Sequence, residues 1–436
     1  MFKLIKKVFL LSFLTVLFSN QLFSYSGPPF YADLSPIDEA LLTSAVNGDM
    51  KKLRNALENG ASLETTNYQG SNALLLAAEN NHTHIVKELL LYGLNVNFQN
   101  DYGTTALTTA AWNGNFKLVK FLLSKNANIH HQSYYGTPLT LATQQNYTEL
   151  AVFLLNKGAN ADDRIHEGLS ALMFAAQNGN HTLIFHLLER GAAINAYTVE
   201  KGKTALIFAT ENNHTYIAEQ LILNGADVNQ QLQRNDTALV KAVFNNNEEM
   251  ISMLLKYNAD VNQSISNSIE ENLTPLMIAA QSGYTPVAKI LIEFDAKIDA
   301  YTSFTSHHPR WTALLFASAH SHSDTVELLI NNGADIKDTD RKNYNALSLA
   351  IEKSKEENIE LVKFLIHFGA DVNQANLDGD TPLILATLRN DIDTVKELLT
   401  AKANRTAKND DGFTAFYYAT QKGLNEISEL LRTFFP

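Results

Sequence analysis

Residues 103–138 read GTTALTTAAWNGNFKLVKFLLSKNANIHHQSYYGTP and contain one complete unit of a pattern that recurs along the chain. Leu107 anchors this unit as the last residue of a Thr-Ala-Leu triplet, and Leu139 anchors the next in Thr-Pro-Leu. Recurrence of such a short motif is the first thing to test in a chain of 436 residues, because an internal repeat overrules any estimate of domain number from length.

Twelve anchor residues follow the pattern at nearly constant spacing. The intervals between them are 33, 33, 32, 33, 34, 33, 37, 38, 33, 36 and 33 residues. A period of 33 held over most of the chain predicts an array of repeats, each packing against its neighbours. The anchors are Leu41, Leu74, Leu107, Leu139, Leu172, Leu206, Leu239, Leu276, Leu314, Leu347, Leu383 and Phe416.

The residues around each anchor predict two helices per unit. A threonine two positions before the anchor, as at Thr105, suits a helix N-cap, and Pro138 occupies a first helical position. Seven residues after the anchor, glycine or asparagine tolerates the left-handed φ that ends a helix, as at Gly114. An extended finger and a glycine turn lead to the next anchor. The predicted caps of the second helices are Thr83, Thr148, Thr215, Thr285 and Ser323.

This unit resembles the ankyrin repeat, and the resemblance covers about 12 units. It implies an all-α repeat solenoid of helix-turn-helix units with β-hairpin-like finger loops, which binds proteins along an extended concave surface. The chain departs from the family pattern directly after the anchor, where a histidine is usual and residues such as Leu75 and Thr108 stand instead. We therefore expect the hydrogen bonds of that histidine to be absent.

The N-terminal residues have the order of a signal peptide. Three lysines among the first seven residues precede an apolar run from Val8 to Phe18, and small polar residues follow near Ser24. A membrane span needs about 20 apolar residues, more than this run supplies. An uncleaved N-terminal anchor is the alternative. The predicted organisation is a signal peptide at 1–24, a short linker at 25–36 and the repeat array at 37–436.

Composition excludes several classes of function. The chain has a net charge of −12, which becomes −15 without the lysines of the signal peptide. Nucleic acid is not expected as a partner, because phosphate binding depends on a basic surface. The chain has no cysteine, so disulfides, thiol nucleophiles and cysteine metal sites are excluded. We expect a monomer with no membrane contact beyond the signal peptide.

Nothing in the sequence indicates catalysis or a cofactor. Neither a nucleophile elbow nor a glycine-rich phosphate loop is present, and turns account for the glycines. The histidines do not have the spacing of a metal site, and three recur at one repeat offset, which indicates a structural role. These three are His82, His214 and His322. We expect no enzyme activity, no cofactor and no bound metal.

The family resemblance implies partner contacts at the tips of the fingers and at positions five and six after each anchor. In this chain those positions hold aromatic and basic residues, the side chains that most often dominate protein interfaces. The candidate partner-binding residues are Tyr68, Tyr102, Trp112, Tyr134, Tyr135, Phe244, Trp311, Arg341, Lys342, Tyr344 and Phe413.

Three repeats are longer than the others. Four residues are added between Val261 and Leu276, five between Ile298 and Leu314, and three between the helices of the unit anchored at Leu347. Insertions in repeat arrays often lie at a binding face, and the first two would lengthen fingers beside it. The alternative is that these are tolerated extensions of surface loops.

A repeat array behind a signal peptide predicts a non-catalytic protein-binding scaffold, exported to a periplasm or secreted. Two alternatives stay open: an effector that acts on a host protein, and an accessory or inhibitor of an envelope enzyme. Several Asn-x-Ser/Thr sequons fall in tight turns such as the one at Asn146. Glycosylation there would be difficult to accommodate, which favours a bacterial source.

Overall fold

The computed structural model describes residues 34–230, 237–265, 272–303, 305–353 and 358–433. Within these ranges the chain forms short helices joined by turns and fingers, with only isolated β-bridges inside some fingers. It divides into two compact units, residues 1–193 and 194–436. The predicted signal peptide at 1–24 and most of the predicted linker at 25–36 lie outside the described residues.

The described part of the first unit contains five helix pairs. In each pair an inner helix precedes a nine-residue outer helix, and successive inner helices pack against one another. The helices are α1 Pro36–Asn47, α2 Met50–Glu58, α3 Ala73–Glu79, α4 Thr83–Leu91, α5 Ala106–Trp112, α6 Phe116–Ser124, α7 Pro138–Gln144, α8 Thr148–Asn156, α9 Ala171–Gln177 and α10 His181–Glu189.

The second unit contains seven helix pairs of the same kind among its described residues. Both inner and outer helices pack against their counterparts in the next pair. The helices are α11 Ala205–Glu211, α12 Thr215–Leu223, α13 Ala238–Phe244, α14 Glu248–Lys256, α15 Pro275–Ser282, α16 Thr285–Glu293, α17 Ala313–Ala319, α18 Ser323–Asn331, α19 Ala346–Lys353, α20 Ile359–His367, α21 Pro382–Leu388, α22 Ile392–Thr400, α23 Ala415–Gln421 and α24 Asn425–Thr433.

The inner helices form the core of both units. Every leucine anchor is at most 2% exposed, whereas Phe416, the anchor of the last described helix pair, is 40% exposed. The outer helix of that pair carries exposed charged residues such as Glu429 and Arg432. None of the helices in the described ranges is long and apolar enough to cross a membrane.

The predicted starts of the inner helices are confirmed. Oγ1 of Thr105 accepts a hydrogen bond from the backbone N of Thr108 at 3.2 Å, and Pro138 is the first residue of α7. In return, Oγ1 of Thr108 accepts a bond from the backbone N of Thr105 at 2.9 Å, which completes a capping box. Thr137 and Thr140 repeat this arrangement. In these two repeats, threonine makes local hydrogen bonds at the position where the family histidine is missing.

The predicted ends of the inner helices are confirmed as well. The residue seven positions after the anchor adopts positive φ, with 68° at Gly114 and 60° at Asn146. The same holds at Gly48, Asn81, Gly179, Asn213, Asn246, Gly283, Asn390 and Gly423.

The prediction that threonine or serine caps the outer helices is wrong. Thr83 is the first residue of α4, and the N-cap is His82, whose side chain makes no capping bond. The hydroxyl of Thr83 instead accepts a hydrogen bond at 3.3 Å from Nδ2 of Asn115 in the next repeat. The same shift by one residue applies to Thr148, Thr215, Thr285 and Ser323.

The N-cap position of the outer helix is used to contact the preceding repeat. A Cβ atom on Gly114 would lie 2.6 Å from the ring of Tyr147, so glycine is required there for space as well as for φ. Where asparagine stands in place of glycine, the contact is a hydrogen bond. Nδ2 of Asn180 donates to Oδ1 of Asn146 at 2.7 Å.

The recurring histidines make the same kind of contact. Nε2 of His82 lies 2.9 Å from the carbonyl oxygen of Val46, and Nε2 of His322 lies 3.1 Å from that of Gln281. Burial lowers the pKa of His322 and thereby favours its neutral form. Both histidines therefore hold the end of the preceding inner helix, which confirms their structural role.

Candidate partner-binding surface

Successive fingers are joined at their tips by backbone hydrogen bonds. In the first unit the backbone N of Tyr134 donates to the carbonyl oxygen of Tyr102 at 3.0 Å, and in the second that of Leu377 donates to Lys342 at 2.9 Å. The four-residue turns at these positions are called fingertips here. They are residues 67–70, 100–103, 133–136 and 165–168 in the first unit, and 307–310, 340–343, 376–379 and 409–412 in the second.

The lengthened finger between Ile298 and Leu314 brings its tip level with the next one, although its turn bond, from the backbone N of Trp311 to His308 at 3.4 Å, lies one residue later than in the other fingertips. Arg310 has a φ of 62°, close to the 67° of Asn343 in the next fingertip, and the backbone N of Arg341 donates to Pro309 at 3.3 Å. The inserted residues therefore precede the fingertip and leave its position in the row unchanged. The other two insertions lie partly outside the described residues, at 266–271 and 354–357.

The tyrosines of the first unit come together on neighbouring fingertips. The ring centroids of Tyr102 and Tyr135 are 6.0 Å apart, and those of Tyr134 and Tyr135 are 5.4 Å apart with nearly perpendicular planes. Tyr134 is 67% exposed and Tyr102 is 44% exposed, while Tyr135 is half-buried and burial raises its pKa. Tyr68, on the first of these fingertips, is 56% exposed.

The inner helices of the first unit present Glu79 and Trp112, each five positions after an anchor, and both are half-buried. Burial raises the pKa of the Glu79 carboxyl to about 7, and a hydrogen bond from Ser71 opposes this shift. Glu79 is thus an acid whose charge changes near neutral pH on the face that the family resemblance assigns to partner contacts.

Trp311 is the one candidate that the structure places in the interior. It is 5% exposed, its ring lies 5.0 Å from that of Phe316, and Nε1 donates to Oδ2 of Asp340 at 3.2 Å. Oδ1 of Asp340 accepts bonds from the backbone N of Lys342 at 2.8 Å and of Tyr344 at 2.9 Å. Trp311 therefore supports the adjacent fingertip from within.

An open groove lies beside this fingertip in the second unit. Arg341 and Lys342 line it and are exposed, and Tyr344 is half-buried with its hydroxyl accepting a bond from Nδ2 of Asn376 at 2.8 Å. Burial raises the pKa of Tyr344. The lengthened finger contributes His308, whose ring lies 4.3 Å from that of Trp311. The groove thus combines the candidate residues of two successive fingers.

The two remaining candidates lie apart from these groups. Phe244 ends α13 and is 38% exposed. Phe413 is half-buried and stacks on Tyr417 with 4.0 Å between ring centroids. On the inner helices of the second unit, the carboxylate of Glu211 lies 2.7 Å from Nζ of Lys203 and 3.6 Å from that of Lys241. Through these half-buried ion pairs, Glu211 at the end of α11 is joined to Lys241 of the neighbouring helix α13.

Reasoning from the sequence missed several fingertip residues because it selected only aromatic and basic side chains. Leu377 is 65% exposed on the fingertip after Arg341. Asp101 and Glu167 are exposed on fingertips of the first unit, and His166 stacks near Tyr134 with a centroid distance of 6.4 Å. The fingertips that carry these four residues end in a glycine, Gly103, Gly168 or Gly379, and that glycine would have marked the turns in the sequence.

The described residues contain no group of three or more histidine, aspartate or glutamate side chains arranged to hold a metal ion. The geometry that each unit provides is a row of fingertips beside inner helices, with exposed tyrosines in the first unit and exposed basic residues in the second. This arrangement defines an all-α repeat protein.

The family of ankyrin repeats accounts for this arrangement. The family model described as ankyrin repeats (3 copies) matches residues 41–133, 139–232, 172–265, 206–302, 263–340, 302–376 and 347–433, which together cover most of the chain. The chain therefore belongs to the ankyrin-repeat family, and its repeats form a protein–protein interaction scaffold.

Curated relatives share the repeats over part of their length. The mouse ankyrin repeat and SAM domain-containing protein 6 is 33% identical over 104 residues, which are 24% of this chain and 11% of that protein. The human ankyrin repeat and SOCS box protein 6 is 32% identical over 147 residues, 32% of this chain and 34% of that protein. The bovine mitochondrial disaggregase is 31% identical over 163 residues, 36% of this chain and 22% of that protein.

The chain thus spans about a third or less of these three relatives. Among solved structures, the human ASB11 ankyrin repeat domain aligns with a TM-score of 0.46 and 24% identity, over 54% of this chain and all of that domain.

Proposed function

We propose that this protein is an exported, non-catalytic scaffold that binds a protein partner through its inner helices and fingertips. The observation that carries the proposal is the row of fingertips, on which aromatic and basic side chains are exposed at corresponding positions of successive repeats. Backbone hydrogen bonds between fingertips hold these side chains at fixed spacing, and a preordered surface loses little entropy when a partner binds. Export rests on the predicted signal peptide at residues 1–24.

The binding mode is tested with substitutions on and off the proposed surface. Tyr102→Ala with Tyr134→Ala changes the first unit, and Arg341→Glu with Lys342→Glu changes the second. Matched controls on outer helices are Phe185→Ala, at a residue 60% exposed, and Lys289→Glu, whose side chain is 67% exposed. We expect at least one of the two double substitutions on the surface to weaken the affinity for the captured partner about tenfold or more, as the loss of interface hot spots does. Equal affinity for all variants would overturn the proposed surface.

Capture of the full chain from separate cell fractions distinguishes the kinds of partner. A partner in the periplasm or medium, bound in a one-to-one ratio, supports the exported scaffold. An envelope enzyme as the stoichiometric partner indicates an accessory or inhibitor, and a host protein indicates an effector. Recovery only with cytoplasmic proteins would contradict the proposal.

Export is tested separately from binding. A reporter enzyme that is active only outside the cytoplasm is joined to the chain after residue 60 and expressed in a bacterium. Activity is expected with the native N-terminus and is expected to be lost when Leu10→Arg and Leu14→Arg interrupt the apolar run. An inactive reporter with the native N-terminus refutes the signal peptide.

A further inference from the structure

The tyrosine cluster of the first unit, defined as Tyr102, Tyr134 and Tyr135, extends across two neighbouring fingertips and reaches a third through His166. The rings are 5.4 to 6.4 Å apart from one to the next. Neighbouring helices pack about 8–10 Å apart, so three successive fingertips span roughly 20 Å. That is about the length of six residues in an extended peptide.

The charged side chains on the fingertips that carry this cluster are all acidic. The unit-one fingertips hold Asp101 and Glu167, both exposed, and no lysine or arginine. Arg164 stands just before the last of these fingertips, and its Nη2 is paired with the carboxylate of Asp162 at 3.2 Å. The fingertips of the second unit differ, because they include the basic residues Arg310, Arg341 and Lys342.

The carboxylate of Asp101 lies against the first fingertip, close to the tyrosines. A Cβ atom on Gly70 would come within 2.5 Å of its Oδ1, which places that oxygen directly over the turn that carries Tyr68. The same residue joins the two fingertips through its backbone N, which donates to Gln69 at 3.2 Å. The exposed aromatic rings therefore lie between two carboxylates, Asp101 at one end of the run and Glu167 at the other.

Guanidinium groups suit both kinds of contact. An aromatic face attracts a cation, and arginine also stacks on it through its planar group. The same group pairs with carboxylates through two hydrogen bonds, which a neutral side chain cannot do. An acidic segment would be repelled by Asp101 and Glu167.

We propose that the tyrosine cluster, together with Asp101 and Glu167, binds an extended, arginine-containing basic segment of the partner protein. This inference rests on the proposed function, since it names the chemistry of the segment that the first unit contacts. The partner side chains would lie along the fingertips, with guanidinium groups stacked on the tyrosine faces in the middle and paired with Asp101 and Glu167 at the two ends.

The test uses capped octapeptides in which glycine alternates with arginine, lysine, glutamine or glutamate, titrated calorimetrically into the full chain. We expect the arginine peptide to bind, the lysine peptide to bind several-fold more weakly, and the other two to show no binding. Tyr102→Ala with Tyr134→Ala should weaken the affinity for the arginine peptide about tenfold or more. Asp101→Asn with Glu167→Gln should weaken it several-fold and reduce the dependence of affinity on salt.

The chain is acidic overall, so attraction of any basic peptide has to be controlled. Glu248→Gln with Glu249→Gln removes two exposed charges from α14 in the second unit, and Phe185→Ala removes an exposed ring from α10. Neither control should change the affinity by more than about twofold. If the α14 pair weakens the arginine peptide as much as the fingertip pair does, or if the tyrosine variants bind it normally, the inference is wrong.

Failure of the inference can be told apart from failure of the proposed function. If the arginine peptide does not bind but the tyrosine variants no longer bind the captured partner, the fingertips bind a segment of different chemistry. The proposed scaffold function is then retained and only this inference fails. If the fingertip pairs of both units also retain the partner, the proposed surface fails as well. Circular dichroism melting of each variant confirms that the repeats remain folded.

Discussion

Nε1 of Trp311 donates a hydrogen bond of 3.2 Å to Oδ2 of Asp340 on the next fingertip. Asp340 is 8% exposed, and its other oxygen accepts bonds from the backbone of Lys342 and Tyr344. One carboxylate thereby connects the lengthened finger to the turn that presents Arg341. The aromatic residue that the sequence offers as a contact instead fixes the shape of the groove.

Replacing Asp340 by alanine should destabilise the second unit by about 2–3 kcal/mol, because one buried and two partly buried donors lose their acceptor. Trp311→Phe keeps the two backbone bonds to Asp340 but removes the indole N–H and part of a buried ring, and it should cost about 1–2 kcal/mol. Urea unfolding followed by circular dichroism measures both losses, and hydrogen exchange at residues 341–344 shows whether the fingertip loosens. If Asp340→Ala is no more destabilising than Trp311→Phe, the carboxylate does not organise this turn.

The contact between Gly114 and Tyr147 predicts a position that cannot accept a side chain. Gly114→Ala should destabilise the first unit by about 1–3 kcal/mol, through positive φ and through the clash with the ring. Gly423 has the same φ of 68° and no atom within 4 Å of a Cβ, so Gly423→Ala tests the backbone effect alone and should cost less.

A double-mutant cycle isolates the steric part of this effect. Tyr147→Ala should cost less in the Gly114→Ala background than in the native chain, since it removes the clash together with the ring. Additive losses would show that Gly114 is required for its backbone conformation only.

The side chain of Asn180 caps its own outer helix and also bonds the preceding repeat, so its loss should destabilise two repeats. Its Oδ1 accepts from the backbone N of Leu183 at 3.0 Å, and its Nδ2 donates to Oδ1 of Asn146 at 2.7 Å. Asn180→Ala should cost about 1–2 kcal/mol. Asn95→Ala, which removes an exposed turn bond from the backbone N of Asn97, should cost less than about 0.5 kcal/mol in the same urea titration.

The raised pKa of Glu79 predicts a stability that falls as pH rises. The carboxyl is protonated up to a pH of about 7 in the folded chain and only up to about 4.5 when unfolded. Below pH 4.5 both states hold the proton and there is no penalty. Between pH 4.5 and 7 the unfolded state releases it more readily, so this group lowers the free energy of unfolding by up to about 3 kcal/mol.

Glu79→Gln should remove this slope and stabilise the first unit at pH 8. Glu64→Gln, at an exposed position, makes the same change of charge as a control. The measurement is the urea midpoint between pH 4.5 and 8. An unchanged slope in Glu79→Gln would show that another group titrates in this window.

Much of the fold could be predicted from the sequence because its determinants are local. Thr105 as N-cap, Pro138 at the first helical position and the positive φ at Gly114 each depend on a few neighbouring residues. The error at Thr83 arose because a hydroxyl was expected to mark the N-cap, whereas His82 occupies that position without a capping bond from its side chain. Its ring instead reaches Val46 in the preceding repeat.

The candidate surface could be predicted less completely. The fingertip positions of Tyr102 and Tyr134 follow from the repeat period, but the spacing of their rings depends on a backbone hydrogen bond between fingers. Leu377 and Asp101 were missed because their side chains are not typical hot-spot residues. Their exposure follows from the turn and not from their residue type.

The sequence by itself determined the repeat, its period of 33 residues and the ends of the inner helices, since backbone preferences act over a few residues. The tertiary structure decided which residues face outward. Trp311 and Tyr134 lie three and five residues before their anchors, yet the first is 5% exposed and the second 67%. That difference depends on what the next finger provides: Asp340 gives Trp311 a buried acceptor, whereas His166 stacks on Tyr134 at the surface.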